Sequence, residues 1–132
     1  GGNFLPTEDG YTLRSESRDG GETWSDAVRT QFLNPNSAVD FIKLQDGHLL
    51  LVYNDNMNER TPLTVTISPD GEKTWPHKRH IGGGDNTFAY PYAIQTKDGM
   101  IHIIYTTNGR TTIMHAVFKE EAITGYPPPP VD

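Results

Sequence analysis

The sequence predicts an all-β fold of repeated antiparallel sheets, a β-propeller, on three observations. Short segments rich in β-branched and aromatic residues follow one another with Gly, Asp, Asn and Pro between them. The octet "SRDGGETW" (17–24) returns as "SPDGEKTW" (68–75), 51 residues later (68 − 17 = 51). An Asp-Gly turn at Asp46-Gly47 returns at Asp98-Gly99, 52 residues later (98 − 46 = 52), inside the matching contexts "KLQDGHLLLVY" and "QTKDGMIHIIY". Two independent markers thus give one period. About four short strands per fifty residues is the pattern of a propeller blade.

Taken in order, the first unit (1–37) carries the first octet. The second (38–83) holds the strands "VDFIKL" (39–44), "HLLLVYN" (48–54) and "LTVTIS" (63–68), with the second octet after the last of them. The third (84–123) holds "YAIQT" (92–96), "MIHIIYTT" (100–107) and "TIMHAVF" (112–118). The Asp-Gly pairs are expected to supply the positive φ angles of tight hairpins. "KEEAI" (119–123) is the nearest approach to a helix, and it is too short to nucleate without tertiary support. The partial propeller is expected over 1–126, and the Pro-rich tail 127–132 reads as a linker or strap. Since 132/51 is about 2.6 repeats and closed rings use typically about 4 to 8 blades, the remaining blades are expected from the same parent protein or another chain.

Composition excludes several classes of function. Eleven Lys and Arg against seventeen Asp and Glu give a net charge of −6, which argues against nucleic acid as a partner. No apolar run is long enough to span a bilayer. With no cysteine there are no disulfides and no thiolate metal sites. The histidine pair with metal-like spacing, His77 and His80, falls in a Pro-, Lys- and Arg-rich stretch that reads as a solvated connection, so no metal or other cofactor is expected.

Antiparallel order assigns loops to ends. If the Asp-Gly hairpin joins the first two strands of a blade at the lower end, the octet between strands three and four is also below. Each octet is then scaffold: Ser17, Asp19, Gly21, Thr23 and Trp24 in one copy, Ser68, Asp70, Thr74 and Trp75 in the other. Ser and Asp hold the turn through nearby backbone N–H groups, and Trp is expected to fold its ring into the blade's apolar core. The upper loops are "FLNPNSA" (32–38), "NDNMNERTP" (54–62), "GGGDNTFAY" (82–90) and "TNGRT" (107–111). Their polar residues, Asn36 and Asn54 among them, suit a hydroxyl-rich or anionic ligand. Arg60 and Arg110 each precede the third strand of successive blades, where two guanidinium forks can converge on a carboxylate, although exposed loop arginines fit the same positions. Tyr90 opens the innermost strand of the third blade, either as a packing aromatic or with its hydroxyl in the same cavity.

These residues resemble the Asp-box, or BNR-repeat, sialidases and their sialidase-like relatives, which are six-bladed propellers. "SRDGGETW" fits the family's Ser-x-Asp-x-Gly-x-Thr-Trp throughout, and "SPDGEKTW" departs at Glu72, where glycine is usual. The resemblance implies that Arg60, in "ERTPLTVTISPDGEKTW", is the last arginine of the carboxylate-binding triad. It implies that Tyr90, eight residues before Asp98 (98 − 8 = 90), is the catalytic nucleophile, and it offers Arg14 as the middle arginine. A sialoside carries a carboxylate on its anomeric carbon, so an anionic Asp or Glu nucleophile meets like charge, whereas a phenol approaches nearly neutral. By the same resemblance the activating base and the general acid lie in earlier blades, and this chain alone is inactive. The implied parent is a secreted, periplasmic or cell-surface glycosidase that releases terminal sialic or related acidic sugars. The alternatives are a non-catalytic Asp-box propeller that binds glycans or proteins, and a hydrolase or lyase for another acidic polysaccharide.

Overall fold

The structure is a computed structural model that describes residues 2–7 and 9–125. The Pro-rich tail expected at 127–132 lies outside the described residues. The strands are β1 (Gly2–Leu5), β2 (Tyr11–Glu16), β3 (Val28–Leu33), β4 (Asp40–Lys43), β5 (Leu49–Asn54), β6 (Leu63–Ser68), β7 (His77–Gly82), β8 (Phe88–Gln95), β9 (Ile101–Thr107) and β10 (Thr112–Phe118). They form three antiparallel sheets, ordered β1-β2-β3, β4-β5-β6-β7 and β8-β9-β10. Every pairing joins strands adjacent in sequence, as a meander does.

The middle sheet shows why the apolar run "LLLVY" is a strand with two covered faces. Leu50 and Val52 enter one core with Leu63, Val65 and Ile67 of β6 and with Phe88, Ala93, Ile101, Ile103 and Tyr105 of the third sheet. Leu51 and Tyr53 point the other way, into a second core with Phe4 and Phe32 of the first sheet. All six residues of β6 are buried, and its hydroxyl face is satisfied within the fold. Thr66 Oγ1 donates to the His77 carbonyl at 2.8 Å, and Thr64 Oγ1 lies 2.8 Å from His80 Nδ1.

Those contacts correct one expectation. His77 and His80 belong to β7, a strand paired with β6 opposite Ile67 and Thr64, and not to a solvated connection. Three residues apart on a strand they face opposite sides, so they do not meet at one ion. The Asp-Gly turns supply the expected positive φ. Only the glycines take positive φ, 89° at Gly47 and 86° at Gly99. The aspartates act through their side chains instead, accepting from the N–H two residues on, His48 at 2.9 Å and Met100 at 3.1 Å.

The chain after β10 makes one helical turn, α1 (Glu121–Thr124). Ile123, buried in the larger core, supplies the tertiary support that so short a helix requires. Neighbouring sheets are tied near the Asp-Gly turns: Ala93 N donates to Asp40 Oδ2 at 2.7 Å, and Gln45 bonds Gln95 Oε1 and the Thr96 carbonyl at 2.7 and 2.6 Å.

Candidate active site

The loops at the opposite end are stitched together by backbone and amide bonds. Phe88 N, at the start of β8, donates to the Arg60 carbonyl at 2.7 Å. Asn54 accepts from Ser37 Oγ at 2.6 Å and donates to the Phe88 carbonyl at 3.1 Å. Asn86 Nδ2 donates to Asn108 Oδ1 at 2.8 Å, and Asn108 N donates back to Asn86 Oδ1 at 3.1 Å, which joins loop 82–90 to loop 107–111. An open cavity of about 630 Å³ lies between these loops, with Arg60, Arg110, Glu59, Asp85 and Asn86 on its wall. That volume suits a small-molecule ligand.

Tyr90 is not on the cavity wall itself, but it touches both arginines that are. Arg110 Nη1 donates to the Tyr90 hydroxyl at 3.3 Å, and the Arg60 guanidinium carbon sits 5.7 Å from the centre of the Tyr90 ring. The phenol is half exposed, at 50%. Its pKa is held below the usual 10.0, first by the Arg110 hydrogen bond and then by Arg60. Among the described residues neither arginine forms a salt bridge with an acidic side chain. The arrangement therefore offers two guanidinium groups to an incoming anion, beside a phenol whose ionised form they favour.

Two residues expected at this site are elsewhere in function. Asn54 is 0% exposed, and its side-chain amide already bonds Ser37 and Phe88, so it braces the loops and is not available to a ligand. Arg14, on β2, makes a bidentate pair with Glu72 of the second octet, at 2.6 and 2.9 Å. Its fork is occupied at the octet end of the fold. Asn36, exposed and at φ 62°, stays near Arg60 through its carbonyl, which accepts from Arg60 Nη2 at 3.4 Å.

Each octet is held by hydrogen bonds among its own residues. Asp19 Oδ1 accepts from Ser17 Oγ and Thr23 N, both at 2.9 Å, while Gly21 N donates to Ser17 Oγ at 2.8 Å. Asp19 also accepts from the Thr23 hydroxyl. These bonds hold the Asp19 carboxyl at about 2, the Thr23 hydroxyl contributing most. Asp70 repeats the pattern with Ser68, Thr74 N and Thr74 Oγ1 at 2.9, 2.9 and 2.5 Å. The tryptophans depart from expectation. Trp75 packs edge-on against Phe4 and Phe32 of the preceding sheet, and Trp24 is 49% exposed with its Nε1 on the Gly21 carbonyl at 3.2 Å.

Sequence reasoning missed the Asn86–Asn108 lock and a cluster at the Asp-Gly end. There His48 Nδ1 lies 2.5 Å from Glu120 Oε2 and 3.2 Å from Asp46 Oδ2. Asp46, His48 and Glu120 offer donor atoms within 4.8 Å of one another, close enough to share a cation. A partner 72 residues away leaves no local signal.

Three meandering sheets with Asp-box turns at one end and an arginine–tyrosine cluster at the other define a sialidase-like β-propeller fold. Residues 5–103 match the family described as BNR repeat-like domain, and the chain belongs to that family. No curated protein matches it in sequence. Among solved structures it is similar to the intramolecular trans-sialidase of Ruminococcus gnavus in complex with oseltamivir carboxylate, at TM-score 0.77 and 21% identity, over 91% of this chain and 30% of that one. The leech intramolecular trans-sialidase complexed with 2,7-anhydro-Neu5Ac aligns at TM-score 0.81 and 18% identity, over 95% and 22%. A Hadza microbial sialidase aligns at 0.71 and 24%, over 89% and 24%. The chain thus spans less than a third of the length of each.

Proposed function

We propose that this chain contributes the nucleophile and part of the anion-binding surface of a sialidase-like glycoside hydrolase that releases terminal sialic or related acidic sugars from glycans. The observation that carries the reading is the contact of one exposed phenol with two guanidinium groups that have no carboxylate partner among the described residues. Arg60 holds the substrate carboxylate. Tyr90 Oη bonds to the anomeric carbon as the bond to the leaving oxygen breaks. The leaving oxygen takes its proton from a carboxylic acid, and the phenol gives its proton to a carboxylate, both supplied by other blades. No metal takes part.

Those blades have a place to dock. The outer face of the third sheet exposes Tyr92, Ile94, Ile104, Ile113 and Val117, with His102 and Thr106 among them, and Trp24 stands exposed in the octet that follows β2. Apolar faces of this kind call for cover, and we assign it to further blades of the same parent or another chain. An extracellular or cell-surface parent fits a glycan substrate. A non-catalytic glycan-binding propeller is the second reading, because the same cluster can grip an acidic sugar without the acid and base.

Turnover of an aryl sialoside tests this. The parent protein is expected to cleave it, its Y90F variant to lose activity by about two orders of magnitude or more, and the 132-residue chain alone to be inactive. Binding of a sialoside by the parent without turnover selects the binding reading, and full activity in Y90F removes the proposed nucleophile.

A further inference from the structure

We propose that Arg110 is a positioning residue for Tyr90: its guanidinium fixes the phenol oxygen beside the cavity and steadies that oxygen whenever it carries negative charge. The inference rests on reading Tyr90 as the nucleophile. It assigns Arg110 a role apart from the grip on the substrate carboxylate expected from its loop position.

The division between the two arginines is geometric. Arg60 lies against the face of the ring, bonds the Asn36 carbonyl through Nη2 and makes the weaker contact with the hydroxyl, whereas Arg110 makes the stronger one, at 3.3 Å. The backbone beneath each member of the Arg110–Tyr90 pair is unusual. Tyr90 takes φ 52° at the bulge where β8 changes register between Ala89 and Tyr92. Asn108, Gly109 and Arg110 take φ 52°, 64° and 70° in succession. Two of these three and Tyr90 are not glycine, and a Cβ disfavours the left-handed conformation by crowding the following carbonyl. Such a conformation persists only where its surroundings hold it, and strain of this kind gathers where a side chain must be aimed.

The surroundings here are specific. Thr111 N donates to the Thr107 carbonyl at 3.1 Å, Thr111 Oγ1 to the Asn108 carbonyl at 2.6 Å, and Asn108 Nδ2 to Thr112 Oγ1 at 3.1 Å. Asn86 fixes the same turn from the loop that leads into β8, so the segment presenting Arg110 and the strand presenting Tyr90 are held to each other. The lowered pKa of the phenol has Arg110 as its first cause and Arg60 as its second, in keeping with the geometry.

The chemistry uses this contact twice. As the Oη–carbon bond forms, the phenol proton passes to the carboxylate base, and the guanidinium stabilises the negative charge that builds on Oη before the bond closes. The glycosyl ether carries no charge. When water then attacks the anomeric carbon, the Oη–carbon bond breaks, its electron pair returns to Oη, and Arg110 receives the departing phenolate.

Absorbance of tyrosinate at high pH tests the assignment without substrate, on the full 132-residue chain. The titration missing from Y90F identifies Tyr90. In the wild-type chain it should begin at lower pH than the ordinary tyrosines, move upward in R110M, move less in R110K, and move less in R60M than in R110M. Far-ultraviolet circular dichroism confirms that each variant is folded, and R110Q replaces R110M if that variant is not. An unmoved Tyr90 titration in folded R110M or R110Q overturns the assignment, as does a larger shift in R60M. If Y90F of the parent loses turnover while R110M leaves the titration unmoved, the nucleophile stands and Arg110 does not. If Y90F keeps full turnover, the nucleophile itself falls.

Discussion

The two Asp-boxes share a set of local hydrogen bonds and differ in what their tryptophans meet. In each, Asp accepts from the preceding Ser hydroxyl, from the following Thr N–H and from the Thr hydroxyl, and the Ser oxygen accepts from the backbone N–H four residues on. Trp75 then finds Phe32 at 5.2 Å and Phe4 at 6.3 Å between ring centres, in a sheet more than forty residues earlier in the chain, while Trp24 meets no aromatic ring among the described residues and is half exposed. A turn's shape is thus written locally. Its contribution to the core is written by the neighbouring blade.

The largest expected effect breaks this comparison at the tryptophans. Trp75→Ala removes a ring from the core shared by the first two sheets and should cost about 2–4 kcal/mol, toward the lower part of the range for a large aromatic because the side chain is only partly buried. Trp24→Ala should cost less than about 1 kcal/mol in this chain. Urea unfolding of the two variants measures the difference. Equal costs would mean that the octet is stabilised by its own tryptophan and not by the adjacent sheet.

The comparison sharpens at Glu72, which stands where the first octet has Gly21. Both residues take positive φ, 75° and 95°, and only Glu72 carries a side chain there. Its carboxylate answers Arg14 across two sheets, so the departure from the family pattern is compensated by an ion pair between neighbours. Glu72→Gly relieves the backbone by up to about 1 kcal/mol and loses a pair of comparable worth, and its stability should stay within about 1 kcal/mol of wild type. Glu72→Ala loses the pair and keeps the strain, so it should be the less stable of the two by about 1 kcal/mol. Thermal melts of the pair of variants decide, and the reverse order would remove backbone strain from the account.

Acid acts on the octets through depressed carboxyls, as it does on the Asp-Gly turns, where Asp46 and Asp98 are lowered as well. The folded Asp19 and Asp70 carboxyls ionise below the usual 3.8, each first through its Thr hydroxyl. A depressed folded value contributes stability above the unfolded value that is lost as pH falls through the folded one. For Asp19 the window runs from 3.8 down to about 2. Asp19→Asn and Asp70→Asn should each flatten the acid limb of the stability curve by similar amounts, because the two turns make the same bonds. A large inequality would show that one turn depends on its setting.

Repetition is why so much of the fold was legible: a motif written twice at a fixed interval fixes period, sheet topology and the ends at which loops gather. The same reasoning brought Arg60, Arg110 and Tyr90 to one end, where the structure holds them in contact. It failed where a residue's partner lies in another blade. Asn54 looks like an exposed loop amide and is a buried brace, Arg14 looks like a free guanidinium and is held by Glu72, and the polar strand β7 looks like a connection because its apolar partners are supplied by β6. The strands β1, β2 and β3 escaped detection for a related reason, since "YTLRSE" and "VRTQFL" alternate polar residues with few β-branched ones.

The smallest expected effect lies at the Asp-Gly end, where His48 joins the second blade's turn to the exit from the third. The Glu120 hydrogen bond raises the His48 pKa above 6.5, with Asp46 adding to it. Glu120 is itself pushed up, by burial first and then by Asp46, against the pull of His48, and Asp46 is lowered first by its hydrogen bond with Glu120 and then by His48. A raised folded value means stability that is fully present below the unfolded value of 6.5 and lost as pH rises through the folded one. His48 is a third exposed, which screens the interaction. The melting temperature should therefore decline slightly as pH rises above 6.5, and His48→Gln should remove that slope while leaving the acid limb set by Asp19 and Asp70 in place. A slope that survives in His48→Gln would move its origin to another group.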